Sequence, residues 1–570
     1  MADHQPSGLT TAPARPVRGG AAARKVLPLL LAALLGMLFA AALYPLWDLQ
    51  GRWFVVAVVG IALTALAMML AGRFSHFTFI ALLFSVPLAG LSKFTFINED
   101  AFGEIVRDAS LYSGTLGLGF VDMLLLGLYG AWAFRIFMLR QEPLPRLEAL
   151  DVWVGLILLA NLLSQWGAAQ PLAIFAFEHQ LKHALVYFYV SRHFRREHLP
   201  WLMAAIGFTV LTQSVVGVLQ YRGVLPPGLI LDKGSGDRLD QQYLVPGIED
   251  VIRATGTLYD SHALGTYLSM LSPFLLMFLF KSDLSVRLRL VAAAALGLAF
   301  TGLVVTFSRS AWLGTVISST ITLVALLVWR ERLVAKSLGV AAILAVMAGP
   351  FVLPGLFERL FNAPADLLLV RFEQFPVAWS IWRENFLFGA GAGNYMVKVY
   401  EHNTDHRLFE PVHNVVLFVG AEMGLFGVVA FYGLVLATLL RLLRLARQRQ
   451  EPWHRLQVAT AAGIVSYVFD GMSNPIFREP TIYLWFWVLT GLAVAFTRIA
   501  GEAGRRREAL AKRRVTGRPL RHEPMHWAAA QPRCSMRLAR WRAIRQSRRC
   551  SARVALSAPA PARSSRGRPA

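Results

Sequence analysis

Cysteine is almost absent. The 570 residues hold two, Cys534 and Cys550, both close to the C-terminal end. Neither sits at a metal-ligand spacing, and no disulfide framework can span the rest of the chain. Charge is scarce too, at 16% of residues against 56% apolar. The chain has no Walker phosphate loop, no Gly-x-Ser-x-Gly elbow, no His-Glu-x-x-His helix and no Asp-x-Asp pair joined to a soluble nucleotide-sugar domain. Nucleotide hydrolysis is therefore not on offer. Any bond made here draws on an activated donor, and no cofactor is expected.

Apolar length is what the chain does have. Runs of roughly 18 or more apolar residues recur, enough to cross a bilayer core. Spans are expected at 26–47, 53–71, 76–96, 111–139, 152–167, 172–190, 200–220, 262–280, 290–307, 311–329, 335–357, 413–440, 456–470 and 481–498. The expected fold is an all-α polytopic transmembrane bundle of about 14 spans. The first run follows basic residues but precedes no small-residue cleavage site, so it reads as a retained span. Residues 1–25 read as a disordered cytoplasmic N-terminus and 26–498 as the membrane domain. Residues 499–570 read as a basic, disordered cytoplasmic tail that either meets anionic lipid headgroups or is simply solvated.

The net charge of +23 invites a nucleic-acid reading. Its distribution answers otherwise. With the N-terminus inside, the cytoplasmic loops hold Arg73; Arg140 and Arg146; Arg192, Arg195 and Arg196; Lys281, Arg287 and Arg289; Arg330, Arg332 and Lys336; and Arg441, Arg444, Arg447, Arg449 and Arg455. Every large basic cluster falls on one side, as the positive-inside rule asks. The partner this charge implies is a lipid bilayer, not nucleic acid. Both termini are then cytoplasmic, and 221–261, the turn 307–310 and the long loop 357–412 share the outer face.

That outer face carries the candidate chemistry. Phe307-Ser308-Arg309-Ser310 joins two spans, where free backbone N–H groups and the Arg309 fork suit an anionic oxygen cluster such as phosphate. A snorkelling anchor is the plainer reading of Arg309, yet an arginine at an outer boundary has no topological reason to be there. Ser310, Gly314 and Ser318 recur every fourth residue and predict close packing of that helix. Arg253 supplies a second cation, and with Arg309 it would neutralise a diphosphate. His413 opens a later span beside Asn414 and is the natural group to take a proton from a hydroxyl. Ser308, Ser310, Gln220 and Asn414 are supporting candidates. The aromatic stretch 371–382 reads as an amphipathic helix on the membrane surface. Gly389-Ala390-Gly391-Ala392-Gly393 lacks a βαβ context and reads as a flexible turn. Glu178 and Lys182 predict an interior ion pair on one helix, with zinc at His179 and His183 the rival reading. Asp122, Gln213, Glu422 and Asp470 are expected to face the interior as structural groups.

Arg253-x-x-Gly256, the 308–314 stretch, Gly389-x-Gly391-x-Gly393-Asn394, and His413-Asn414 followed by Glu422-x-Gly424-x-x-Gly427 resemble the O-antigen ligase and polymerase superfamily. The resemblance covers 213–427. It implies an inner-membrane, GT-C-like glycosyltransferase acting on the periplasmic face, metal-independent and inverting. It implies a glycan donor on undecaprenyl pyrophosphate, and lipid A–core or another glycan as acceptor. Carried over by position, Arg309 and Arg253 bind the donor diphosphate and His413 activates the acceptor. A polymerase for O-antigen or exopolysaccharide is the rival within the class. A lipid-linked sugar flippase, or a scaffold among envelope polysaccharide assembly proteins, is the rival outside it.

Overall fold

In the computed structural model, the described residues are 73–89, 92–95, 117–143, 145–166, 170–227, 252–258, 260–281, 285–329, 365–402, 411–448, 453–475 and 479–516. The expected spans 26–47, 53–71 and 335–357, the N-terminal segment and both cysteines lie outside them. The chain divides into two compact units, Met1–Ala503 and Gly504–Ala570. The packing and the site described below concern the first.

Helices dominate. In order they are α1 (Phe74–Ser85), α2 (Phe120–Ala133), α3 (Ala149–Ser164), α4 (Gln170–His193), α5 (Leu199–Tyr221), α6 (Ser261–Leu279), α7 (Val286–Val304), α8 (Arg309–Val328), α9 (Ala365–Glu384), α10 (Tyr395–His402), α11 (Val415–Ala446), α12 (Trp453–Gly471) and α13 (Pro480–Thr516). Seven helical stretches among the described residues are long and apolar enough to cross a membrane. Helices also form at the expected spans 152–167, 172–190 and 456–470, but they are shorter or more polar. The expected span 76–96 ends as a helix at Ser85, because Pro87 lacks the N–H to continue it. The chain then enters a short antiparallel ladder, β1 (Ser92–Thr95) with β2 (Gly117–Gly119). α13 runs on to Thr516, so 499–516 of the expected tail are helical.

Helix starts follow capping chemistry. The Asp260 and Asn414 side chains accept from His262 N and Leu417 N at the heads of α6 and α11, and Ser285 does the same for α7. α6 is buried on nearly all sides, and α8 and α12 pack tightly against it and each other. Small residues make this close approach feasible. Gly314 faces Ser466 and Ser269, and Ser318 Oγ donates to Ser269 O at 3.3 Å. The four-residue repeat on α8 thus does the packing its spacing predicts. Tyr483, Trp485 and Trp487 of α13 are fully buried.

The glycine-rich loop is not a loose turn. α11 breaks at Gly424, which takes φ 65°, ψ −169°. A broken helix frees carbonyls before the break and N–H groups after it, and buried backbone groups need partners. Residues 386–391 supply them. Ala390 N and Gly391 N donate to Ala421 O and Glu422 O at 2.8 and 3.1 Å, and Leu425 N and Phe426 N donate to Phe386 O and Leu387 O at 2.8 and 3.1 Å. The approach leaves no room for a side chain. A Cβ on Gly389 would lie 2.3 Å from the Glu422 carbonyl, and one on Gly424 would lie 2.3 Å from that of Leu387.

α9 is tied to α11 by this clamp. Its face Gln374, Ala378, Ile381 and Trp382 is buried, with the Trp382 ring over Gly420. Its other face exposes Leu369, Phe372 and Trp379, the amphipathic pattern expected of 371–382.

Gly424→Ala should therefore cost at least about 3 kcal/mol, from a left-handed alanine and the loss of backbone hydrogen bonds worth roughly 1 kcal/mol each. Thermal melting of the purified protein in detergent reads this. An unchanged melting temperature would show that the break does not depend on the glycine.

Candidate active site

The site lies where α5 and α12 end and α6, α8 and α11 begin. Two glutamines one helical face apart on α5 build its floor. Gln220 Oε1 accepts from Thr255 N and Gly256 N at 3.0 and 2.8 Å, and its Nε2 donates to Gly256 O at 2.8 Å. Gln213 holds Thr257 N at 2.8 Å. These contacts pin the 252–258 loop, and Ala254 N also bonds Val305 O at 3.0 Å. The turn it meets is strained: Phe307 has φ 53°, a left-handed conformation unusual for a bulky residue.

Arg253 projects from this loop into a buried setting. Its Nε donates to Thr306 O at 3.2 Å and its Nη2 donates to His262 Nε2 at 3.2 Å. Arginine has no acceptor, so His262 Nε2 must be unprotonated. The proton then sits on Nδ1, which donates to Ser308 Oγ at 2.9 Å. Ser308 Oγ lies 3.3 Å from Ser310 Oγ. Ser310 in turn accepts from Asn474 Nδ2 at 2.7 Å and bonds Asp470. Asp470 also accepts from Thr266 Oγ1, and from Asn474 Nδ2 at 3.1 Å. A continuous polar chain thus runs from Arg253 to a carboxylate buried among α6, α8 and α12.

The charge balance is positive. Burial first lowers the Arg253 proton affinity; Asp260 raises it, and the guanidinium groups of Arg371 and Arg309 lower it by less. Arginine does not give up its proton in proteins, so Arg253 stays a buried cation among Asp260, Arg371 and Arg309. Arg309 makes no hydrogen bond or ion pair with the described residues. Arg371 of α9 donates to Ser473 O at 3.5 Å. The N-terminal ends of α6, α8 and α11 add partial positive charge from the same direction.

His413 stands at this rim, just ahead of α11. Its Nδ1 lies 2.9 Å from Gln374 Oε1, and its backbone N donates to the same oxygen at 3.3 Å. Burial first, then Arg371, pull its pKa from the model-compound 6.5 down to about 4, with Asp260 pulling the other way. The ring is neutral at physiological pH.

Arg253, Arg309, Ser308, Ser310 and His413 are thus brought to one end of the bundle. Gln220 and Asn414 meet backbone at the same end: Gln220 bonds the Arg253 loop, and Asn414 caps α11 while reaching Met472 O at 3.5 Å. Asp260, His262, Arg371 and Gln374 were not among the candidates. Their signals were faint but present: His262 and Asp260 sit in the first turn of a span on the outer side, and Arg371 and Gln374 are three apart on one helical face. Asp470, expected to be a structural group, anchors the polar chain.

The expected Glu178–Lys182 pair forms at 3.7 Å, with Asp122 3.2 Å from the same Lys182. His183 Nδ1 instead bonds His179 O at 2.6 Å. His76, Glu197 and His198 bring their ligand atoms within 4.8 Å of one another, at the opposite end of α5. There His198 Nδ1 accepts from Arg195 N at 2.9 Å, so Nε2 holds the proton and donates to His76 Nδ1 at 2.9 Å.

Asp470→Leu removes the acceptor shared by Thr266, Ser310 and Asn474; Thr266 and Asn474 keep His262 O and Ser310 Oγ, so the loss should be about 1–3 kcal/mol in all. Asp470→Asn keeps one acceptor oxygen and should lose less. Melting of the two variants, followed by tryptophan fluorescence, checks this, and equal stability to the parent would remove Asp470 as the anchor.

Comparison with curated proteins finds no match for the chain. Residues 292–432 match the family model described as O-antigen ligase. The matched stretch runs from α7 into α11 and holds Arg309, Arg371, Gln374 and His413, while Arg253 and His262 lie ahead of it. The stretch 292–432 is thus similar to O-antigen ligases, and with the apolar helices it supports a multi-pass membrane protein.

Proposed function

We propose that the protein transfers a glycan from an undecaprenyl pyrophosphate carrier to a hydroxyl acceptor, as O-antigen ligases and polymerases do. The observation that carries this reading is the meeting of Arg253, Arg309 and Arg371 with a neutral histidine at the heads of three helices. A diphosphate matches the charge of the arginines. A neutral imidazole beside them matches an alcohol that must lose a proton.

The chemistry balances without further groups. The acceptor oxygen attacks the anomeric carbon, the bond from that carbon to the diphosphate oxygen breaks, and its electron pair leaves with the diphosphate. The hydroxyl proton passes to His413. The guanidinium groups stabilise charge developing on the leaving group, where water is scarce and such stabilisation counts most. The leaving group needs no protonation, so a second acid is not required. A single displacement inverts the anomeric centre. The basic helix ends, at Arg192, Arg195, Arg287, Arg441 and Arg444, lie opposite the site and favour the cytoplasm. The site then faces the periplasm from the inner membrane.

His413→Ala and Arg309→Ala should each abolish transfer, with the protein still present in the membrane at parental level. Near-normal product from either would remove that residue from its role. In a strain lacking the gene, bare lipid A–core with long chains held on the carrier would identify a ligase. Core bearing a single repeat would identify an O-antigen polymerase. Unchanged lipopolysaccharide with a lost secreted polysaccharide would identify an exopolysaccharide polymerase.

The acid limb of kcat/KM, which reports the free enzyme, should fall near pH 4 rather than 6.5, because protonation below the folded value removes the base. A limb at 6.5 would mean that His413 is not buried among cations in the active protein.

A further inference from the structure

We infer that Gln374 is a positioning residue that decides which nitrogen of His413 is basic: its amide oxygen holds Nδ1–H and leaves the Nε2 lone pair for the acceptor. The argument starts from the two bonds to one atom. Gln374 Oε1 lies 3.3 Å from the His413 backbone N and 2.9 Å from its Nδ1. A backbone N–H only donates, so the side-chain oxygen, not the NH2, must face His413. That oxygen has no proton to give, so Nδ1 must donate to it, and the ring's remaining lone pair is on Nε2.

The placement of Gln374 agrees with a role for the oxygen alone. The side chain is buried on α9, and its Nε2 has no hydrogen-bond partner among the described residues. A buried unpaired NH2 costs roughly 1–3 kcal/mol, and such groups call for an explanation beyond stability. A methionine or leucine would fill the same space without that loss. The clamp between 386–391 and the break in α11 fixes α9 against the histidine, so the contact is rigid.

The neutrality of the amide has a consequence. In Ser-His-Asp sites the group behind the histidine is a carboxylate, which stabilises the imidazolium that forms. Gln374 orients the ring without doing so. The charged groups that bear on His413 are Arg371 from α9 and Asp260 from the cap of α6. In the empty site Arg371 opposes protonation. A bound diphosphate offsets the arginine charge, so His413 gains basicity only once the donor is in place.

The kinetic part of this inference rests on the glycan-transfer reading; the tautomer does not. The test uses the full-length protein in detergent or nanodiscs, labelled with 13C,15N-histidine, with the His413 signals assigned by loss in His413→Gln. The expected result is an Nδ1–H tautomer in the parent, a mixed or Nε2–H ring in Gln374→Met, and a titration midpoint raised by a unit or more in Gln374→Glu. An Nε2–H ring in the parent, or an unchanged ring in Gln374→Met, overturns the proposal.

Rates with a lipid-pyrophosphate-linked donor give the second arm. Gln374→Met should lower kcat about 10- to 100-fold, the range typical for outer-shell partners of a histidine, with donor KM little changed. Gln374→Glu should move the acid limb to higher pH. A purely structural residue would lower the amount of folded protein and leave both the limb and the tautomer where they were, which overturns the proposal. Absence of transfer by the parent protein would sink the glycan-transfer reading and leave the NMR result to decide the tautomer.

Discussion

The break in α11 is the constraint from which the site follows. A helix interrupted inside an apolar bundle exposes carbonyls and N–H groups that neither lipid nor side chains satisfy. Here the main chain of 386–391 satisfies them, from both sides of Gly424. The partner segment must be nearly bare of side chains to come so close, which accounts for its glycines. Once that clamp closes, α9 has one place to lie, and its buried face meets the start of α11 at Gln374 and His413.

A second constraint acts on the cations. Two arginines beside one another repel, and a buried one is costly unless its field is answered. The fold meets part of that demand with Asp260 at the head of α6 and with the polar chain through His262, Ser308, Ser310 and Asp470. The remainder is left open at Arg309. An incomplete countercharge at the junction of several helix N-termini is what an anion-binding site requires before its ligand arrives.

These two devices also separate duties that are often merged. Gln220, Gln213 and Asn414 hold backbone in place and are fully occupied in doing so. Ser308 and Ser310 pass hydrogen bonds between a histidine and a carboxylate. Arg253, Arg309, Arg371 and His413 carry the charge and the lone pair that the proposed transfer would use. The family match at 292–432 spans three of these four. Arg253 comes to the site from outside that stretch because the α5 glutamines carry its loop there.

Sequence alone determined the helical class and the positions of most helices, and it put Arg253, Arg309 and His413 at one end of the bundle. These follow from local apolar length and from the side to which basic residues sort, neither of which needs tertiary contacts. Tertiary structure alone decided the rest. Gln374 and His413 are 39 residues apart, Arg253 and Thr306 are 53 apart, and Thr266 and Asp470 are 204 apart. No periodicity reports such pairs. The glycine run read as a flexible turn because its partner, the frayed backbone of α11, exists only after the helix has broken. Hydrophobic patterning says which segments are buried; only the packed bundle says which polar atoms then have to find each other.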